Sequence, residues 1–158
     1  MKVLCFTWRA IMGRIPTAEA LCHRGISVPS SVCSFSRFDI ESAGHVLVTC
    51  PLAKAVWEWV CNWCGGNSAV FATVGELIDH AKMWGRCPKK RKVFMVICYG
   101  ALWSLWLARN ERVFNRRLSS ASRIMDDVIS LVFMWFKHRV KIGNLNWVVW
   151  CNSPFDCL

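Results

Sequence analysis

Residues 93–108 run for sixteen positions without a charged side chain. They lie between a basic cluster, Lys89, Lys90, Arg91 and Lys92, and the cations Arg109 and Arg112. As a helix, such a run spans roughly 24 Å, short of the roughly 30 Å of a bilayer's hydrocarbon core. Cations flank both ends, so the charges specify no membrane orientation. The run therefore reads as the buried central helix of an all-α domain, and the rest of the chain has to cover it. Pro88 is suited to a first helical position and predicts a helix from there to about Asn115.

The other segments supply the cover. Leu4, Trp8, Ile11 and Ile15 recur at helical spacing, so the first fifteen residues read as a helix. Thr17 can cap a short helix over 18–22, and Gly25 can end it. Residues 26–41 carry Ser and Pro and little periodicity, which predicts loop with one short hairpin. Pro51 opens a helix whose face is Leu52, Val56, Val60 and Trp63, with Trp59 beside it, and Gly65 and Gly66 stop it. A weaker helix covers 73–84. Ser119 and Ser120 can cap a last long helix with the stripe Ile124, Val128, Leu131, Val132, Trp135 and Phe136. Asp126 and Asp127 near its start, and Lys137, Arg139 and Lys141 near its end, suit its dipole. The aromatic tail around Trp147 and Trp150 reads as short and extended. The expected architecture is all-α: an irregular zinc-knuckle-like loop among short helices, then two long packed helices.

A chain of 158 residues, 54% apolar, is one domain or one domain with a small subdomain. Twenty Lys and Arg against ten Asp and Glu give a net charge of +10. That excess favours a polyanionic partner, or it offsets the solubility of a greasy chain. Ten cysteines are present, but Arg9 interrupts the only leader-like run and no cleavage site follows. They read as reduced and intracellular, mostly small core residues. The expected location is the nucleus or cytoplasm, without secretion. Cys157 stands next to last, so the C-terminus is not a prenylation box.

Chemistry concentrates between residues 33 and 50. Cys33, His45 and Cys50 offer two thiolates and an imidazole, and the last cysteine opens an amphipathic helix. Soft ligands so arranged can converge on one zinc ion. A fourth ligand two residues beyond Cys33 would fall on Ser36, whose hydroxyl is a weak zinc donor unless ionised. Cys61 and Cys64 form a C-x-x-C inside a helix and read as core. The pair Asp126 and Asp127 invites a polymerase reading, but it lies in the first turns of an amphipathic helix with no strand around it. Solvated carboxylates explain it better. No Gly-rich phosphate loop, G-x-S-x-G or partnered histidine occurs, so no enzyme is expected. The cluster Lys89, Lys90, Arg91 and Lys92 opposes its own helix dipole, so fold stability does not explain it. Phosphate contacts or a nuclear import signal would.

Taken together, these residues resemble the zinc-binding domain that follows the reverse transcriptase in plant LINE-type (non-LTR) retrotransposon proteins. The matching pieces are FTWRAIMGRIPTAEALCHRGI at 6–26, VCSFS at 32–36 and ESAGHVLVTCPLAKAVWEWVCNWCG at 41–65. LWSLWLARNERVFNRR at 102–117 resembles the helix that follows in those proteins. The resemblance implies a zinc-binding-type domain over 1–67 and a helical extension over 68–158. It implies zinc as cofactor, with Cys33, His45 and Cys50 as ligands and Ser36 in place of the fourth, so that the site is degenerate. It places a polymerase domain upstream, making the chain a detached, non-catalytic piece. The implied partner is RNA or DNA; the basic residues Lys89, Lys90, Arg91, Lys92, Arg116 and Arg117, read from the charge pattern, are expected to make its phosphate contacts. No small-molecule substrate and no membrane are expected, and the oligomeric state is left open. Two alternatives stand beside this reading: a structural remnant or tryptophan-rich protein-interaction module without metal or nucleic acid, and a small membrane protein built on 93–108.

Overall fold

The computed structural model describes residues 2–67, 69–139 and 145–156, except for the side chain of Arg139. Lys141 and Cys157 lie outside the described residues. Helices follow one another as α1 (Lys2–Ile11), α2 (Ala18–Cys22), a π-helical turn (His45–Thr49), α3 (Pro51–Trp63), α4 (Val74–Met83), α5 (Pro88–Asn115), α6 (Ala121–Arg139) and α7 (Trp147–Asn152). The class is all-α, as the apolar patterning requires, and the two long helices α5 and α6 pack together.

Local chemistry sets the boundaries. The Thr17 hydroxyl accepts the N–H of Ala20, and Thr73 accepts that of Glu76 at the start of α4. Ser120 accepts the N–H of Arg123 and starts α6. Pro51 and Pro88 occupy first-turn positions, where no N–H is missed. α1 stops at Ile11 because Gly13, at φ +62°, turns the chain and lets the Arg14 N–H bond back to the Arg9 carbonyl at 2.7 Å.

The core is built around α5. Ile97, Ala101, Leu102 and Leu105 are fully buried, and α1, α3, α4, α6 and the π turn all pack on this helix. By length and composition α5 could cross a membrane, but 67% of its apolar window is buried inside the protein. One apolar cluster runs from Phe6 through Ile15 and Val46 to Phe155, so both halves of the chain contribute to it. α6 presents Ile124, Val128, Val132 and Phe136 to it, four of the six stripe residues the periodicity selects. Gly100 lets α5 and α6 approach closely: a Cβ there would lie 2.4 Å from Val132 Cγ2.

Three expectations are corrected. The stripe that marks α1 as a helix faces outward: Leu4, Trp8 and Ile11 are exposed, while Phe6, Thr7 and Ala10 face α5. On α3 the buried face is rotated toward Ala53 and Trp57, leaving Trp59 41% exposed. Trp57 wins because its indole N–H reaches the Leu47 carbonyl at 2.8 Å. The tail is not extended. Asn146 accepts the N–H groups of Val148 and Val149 and starts α7, which inserts Trp150 into the core with its N–H on the Ile129 carbonyl.

Candidate metal centre

Cys33 and Ser36 come from a tight excursion of the chain. Val32 and Ile40 form an isolated antiparallel bridge, and the Cys33 N–H bonds to the Asp39 carbonyl at 2.7 Å. The expected hairpin thus amounts to a single bridge. Arg37, at φ 63°, reverses the chain within it. Backbone N–H groups of Phe35 and Ser36 point at the Cys33 sulfur.

His45 and Cys50 come from the π turn. In an α-helix, five residues rotate a side chain by about 500°, which would leave the two roughly 140° apart. The bond from the Cys50 N–H to the His45 carbonyl, 2.8 Å, widens the turn by one residue. Both side chains then face the Cys33 loop. Cys50 also caps α3, and the free N–H groups of Leu52 and Ala53 lie against its sulfur.

The ligand atoms of Cys33, His45 and Cys50 all lie within 4.8 Å of one another, and all three residues are buried. The two sulfurs are 4.0 Å apart. A tetrahedral zinc site with bonds of about 2.3 Å to sulfur has an S···S edge of about 3.8 Å. The Ser36 hydroxyl lies 3.1 Å from His45 Nε2 and also bonds the Cys33 sulfur, so it stands at the fourth corner. The other ring nitrogen, Nδ1, is 3.5 Å from the Asp39 carboxylate and 3.5 Å from the Thr49 hydroxyl. Such an outer partner fixes the ring of a metal-ligating histidine. The sulfurs hold a proton unequally. Cys33 is held down to about 4, first by its hydrogen bond with Cys50, against the opposing effect of burial. The same bond, then desolvation, pushes the Cys50 thiol up. A thiolate beside a thiol and an imidazole is a donor set that fits zinc, with a hydroxyl as fourth donor.

The loop is tied down by Glu41, which is 2% exposed. Its carboxylate accepts the Ala18 N–H at 3.0 Å and the Arg109 Nε at 3.2 Å, and it also pairs with Arg109 Nη2. Arg109, itself buried, lies over the Trp106 ring at 5.0 Å. A buried pair of this kind survives only when its hydrogen bonds are satisfied, as they are on both sides here.

The basic residues divide. Lys89, Lys90 and Lys92 are exposed in the first turns of α5, while Arg116 and Arg117 lie exposed past its C-terminal end, about 40 Å away along the axis. They do not form one patch. Arg91 has a folding role that the sequence argument missed: it donates to the carbonyls of Trp84 at 3.2 Å and Gly85 at 3.0 Å, closing the end of α4. Lys90 lies over the Phe155 ring at 5.4 Å. Arg117 sits 3.9 Å from Glu111. Asp126 and Asp127 are exposed helix carboxylates, the latter 3.6 Å from Arg123. Cys61 and Cys64 are buried, in keeping with a core role.

Sequence spacing brought out Cys33, His45 and Cys50. It missed Asp39 and Thr49, which are placed by the bridge and the π turn, and the Glu41–Arg109 pair, whose members are 68 residues apart. A lone arginine closing an uncharged helical run was the available signal for the last.

These features define a small helical protein with a loop-and-turn Cys-His-Cys cluster that could hold a metal ion. Residues 1–57 match the family model for zinc-binding in reverse transcriptase, just over a third of the 158-residue chain. The matched stretch takes in Cys33, His45 and Cys50 and ends in the second turn of α3. No curated protein and no solved structure matches the chain.

Proposed function

We propose that the protein is a non-catalytic, retrotransposon-derived zinc-binding-type module, of the plant LINE kind, that binds nucleic acid inside the cell. The convergence of Cys33, His45 and Cys50 within a stretch matching the zinc-binding family carries this reading. Cys33, His45 and Cys50 would hold the ion, with Ser36 as the weak fourth donor. Zinc would supply a cross-link between the 31–41 loop and the π turn. The net charge of +10 supports a polyanionic partner, and the burial of α5 supports a protein outside the membrane.

Metal analysis of the purified protein beside Ser36→Cys tests the centre. Full occupancy in the variant and partial occupancy in the parent are expected. Absence of zinc from both would refute the ligand assignment. Filter binding of RNA across a salt series tests the partner: affinity should fall steeply with salt, and an absent or salt-insensitive shift would refute it.

A further inference from the structure

α1 carries two unusual features side by side. Its outward face exposes Leu4, Trp8 and Ile11, with Met12 exposed just past its end, and Trp8 is 57% exposed, with no ring partner among the described residues. At its C-terminal end two guanidiniums gather on one backbone atom, the carbonyl of a third arginine. The Arg9 and Arg24 guanidiniums both donate to the Arg14 carbonyl, at 3.4 and 3.1 Å. Arg14 is exposed as well. None of the three takes part in an ion pair among the described residues. The only carboxylate in the first 38 residues is Glu19, and Glu41 is committed to Arg109. One cation would suffice to answer the α1 dipole. Two guanidiniums held together at the surface without a carboxylate partner, beside the exposed Arg14, offer a place for an anion.

Arg9 also lines a cavity. A half-open groove of about 920 Å3 runs between α1, α2 and the C-terminal half of α5. Lys2, Arg9, Val113 and Phe114 are among the residues that line it. The exposed Phe114 leads directly to Arg116 and Arg117. Lys89, Lys90 and Lys92 belong to the opposite end of α5.

We propose that single-stranded nucleic acid crosses this α1–α2 face, with Arg9, Arg14 and Arg24 on its phosphates and Trp8 stacked on a base. The proposal rests on the nucleic-acid reading above and gives it a place. An exposed indole on the helix that carries Arg9 suits a ligand that alternates flat rings with phosphates. An acidic peptide would use the charges and leave the indole without a role.

The test is filter binding of a short oligouridylate across a salt series, with circular dichroism confirming each variant's fold. Arg9→Gln with Arg24→Gln should weaken binding at least tenfold and flatten the log–log salt slope by about 1.4, since each single-strand phosphate contact contributes about 0.7. Trp8→Ala should weaken binding about tenfold, and Trp8→Phe should restore most of it. Lys89→Gln with Lys92→Gln should weaken binding less than the arginine pair does. Loss confined to the Lys89 and Lys92 variant would overturn the placement and leave the nucleic-acid reading standing. Parent protein that binds no oligonucleotide would overturn the reading itself. Displacement by polyglutamate with no effect of Trp8→Ala would assign the face to an acidic protein and overturn the proposal.

Discussion

Replacing Gly100 by Ala sets two effects of opposite sign against each other. In an exposed helix, Gly→Ala stabilises by about 1 kcal/mol through helix propensity. In α5 the new methyl group would lie 2.4 Å from Val132 Cγ2, 3.7 Å from Trp135 Cζ3 and 3.9 Å from Val132 Cβ. Carbon–carbon contact is comfortable at about 3.5–4.0 Å, so the overlap exceeds about 1 Å. Val132 is fully buried, and a β-branched side chain in a helix has essentially one rotamer. It cannot swing away, so α6 must move. Overpacking of this kind costs about 1–3 kcal/mol, and a clash this deep belongs at the upper end. The net expectation is destabilisation by about 1–2 kcal/mol, read as a lower urea midpoint at unchanged slope. Val132→Ala removes the obstructing methyls, so the double variant should be more stable than the sum of the two singles by at least about 1 kcal/mol. Stabilisation by Gly100→Ala, or simple additivity with Val132→Ala, would refute the α5–α6 approach described above.

Two further outcomes follow from buried groups. Arg109→Met strands the Glu41 carboxylate and should cost about 3–5 kcal/mol in chemical denaturation, whereas Glu41→Gln combined with Arg109→Met should cost clearly less. Equal losses would mean the pair is not coupled. Brief alkylation at neutral pH should modify Cys87 ahead of Cys61, Cys64 and Cys98. Cys87 is exposed, and its pKa is lowered first by the Lys90 N–H and then by that of Lys89, so more of it is thiolate. Burial raises the other three. Peptide mapping by mass spectrometry reads the order directly.

Much of the fold was legible because its signals are local. Thr17, Ser120, Pro51 and Pro88 act within a turn of where they sit, and the limits of α5 follow from Pro88 and the return of polar residues near Asn115. Cys33, His45 and Cys50 were legible as donors, although their convergence needs a π turn that spacing alone does not announce. The α1 stripe misled because periodicity identifies a helix without saying which face is covered. Phe6 and Ala10 packed inward because α5 offered Trp103 and Trp106 to meet Phe6. Arg91 looked unexplained because its acceptors, the carbonyls of Trp84 and Gly85, are backbone atoms and invisible in composition. α7 was missed because the six-residue stretch Trp147–Asn152 depends on its Asn146 cap and on the burial of Trp150.

The Glu41–Arg109 contact bears on where a functional unit can be cut. The stretch recognisable as zinc-binding ends at residue 57, yet the carboxylate that braces its loop finds its counter-charge on a helix that starts at Pro88. A fragment trimmed to the recognisable stretch would keep an orphaned acid in the loop that carries Cys33 and uncover the inner side of α1. For this protein, the smallest portable piece is larger than the piece that sequence comparison outlines.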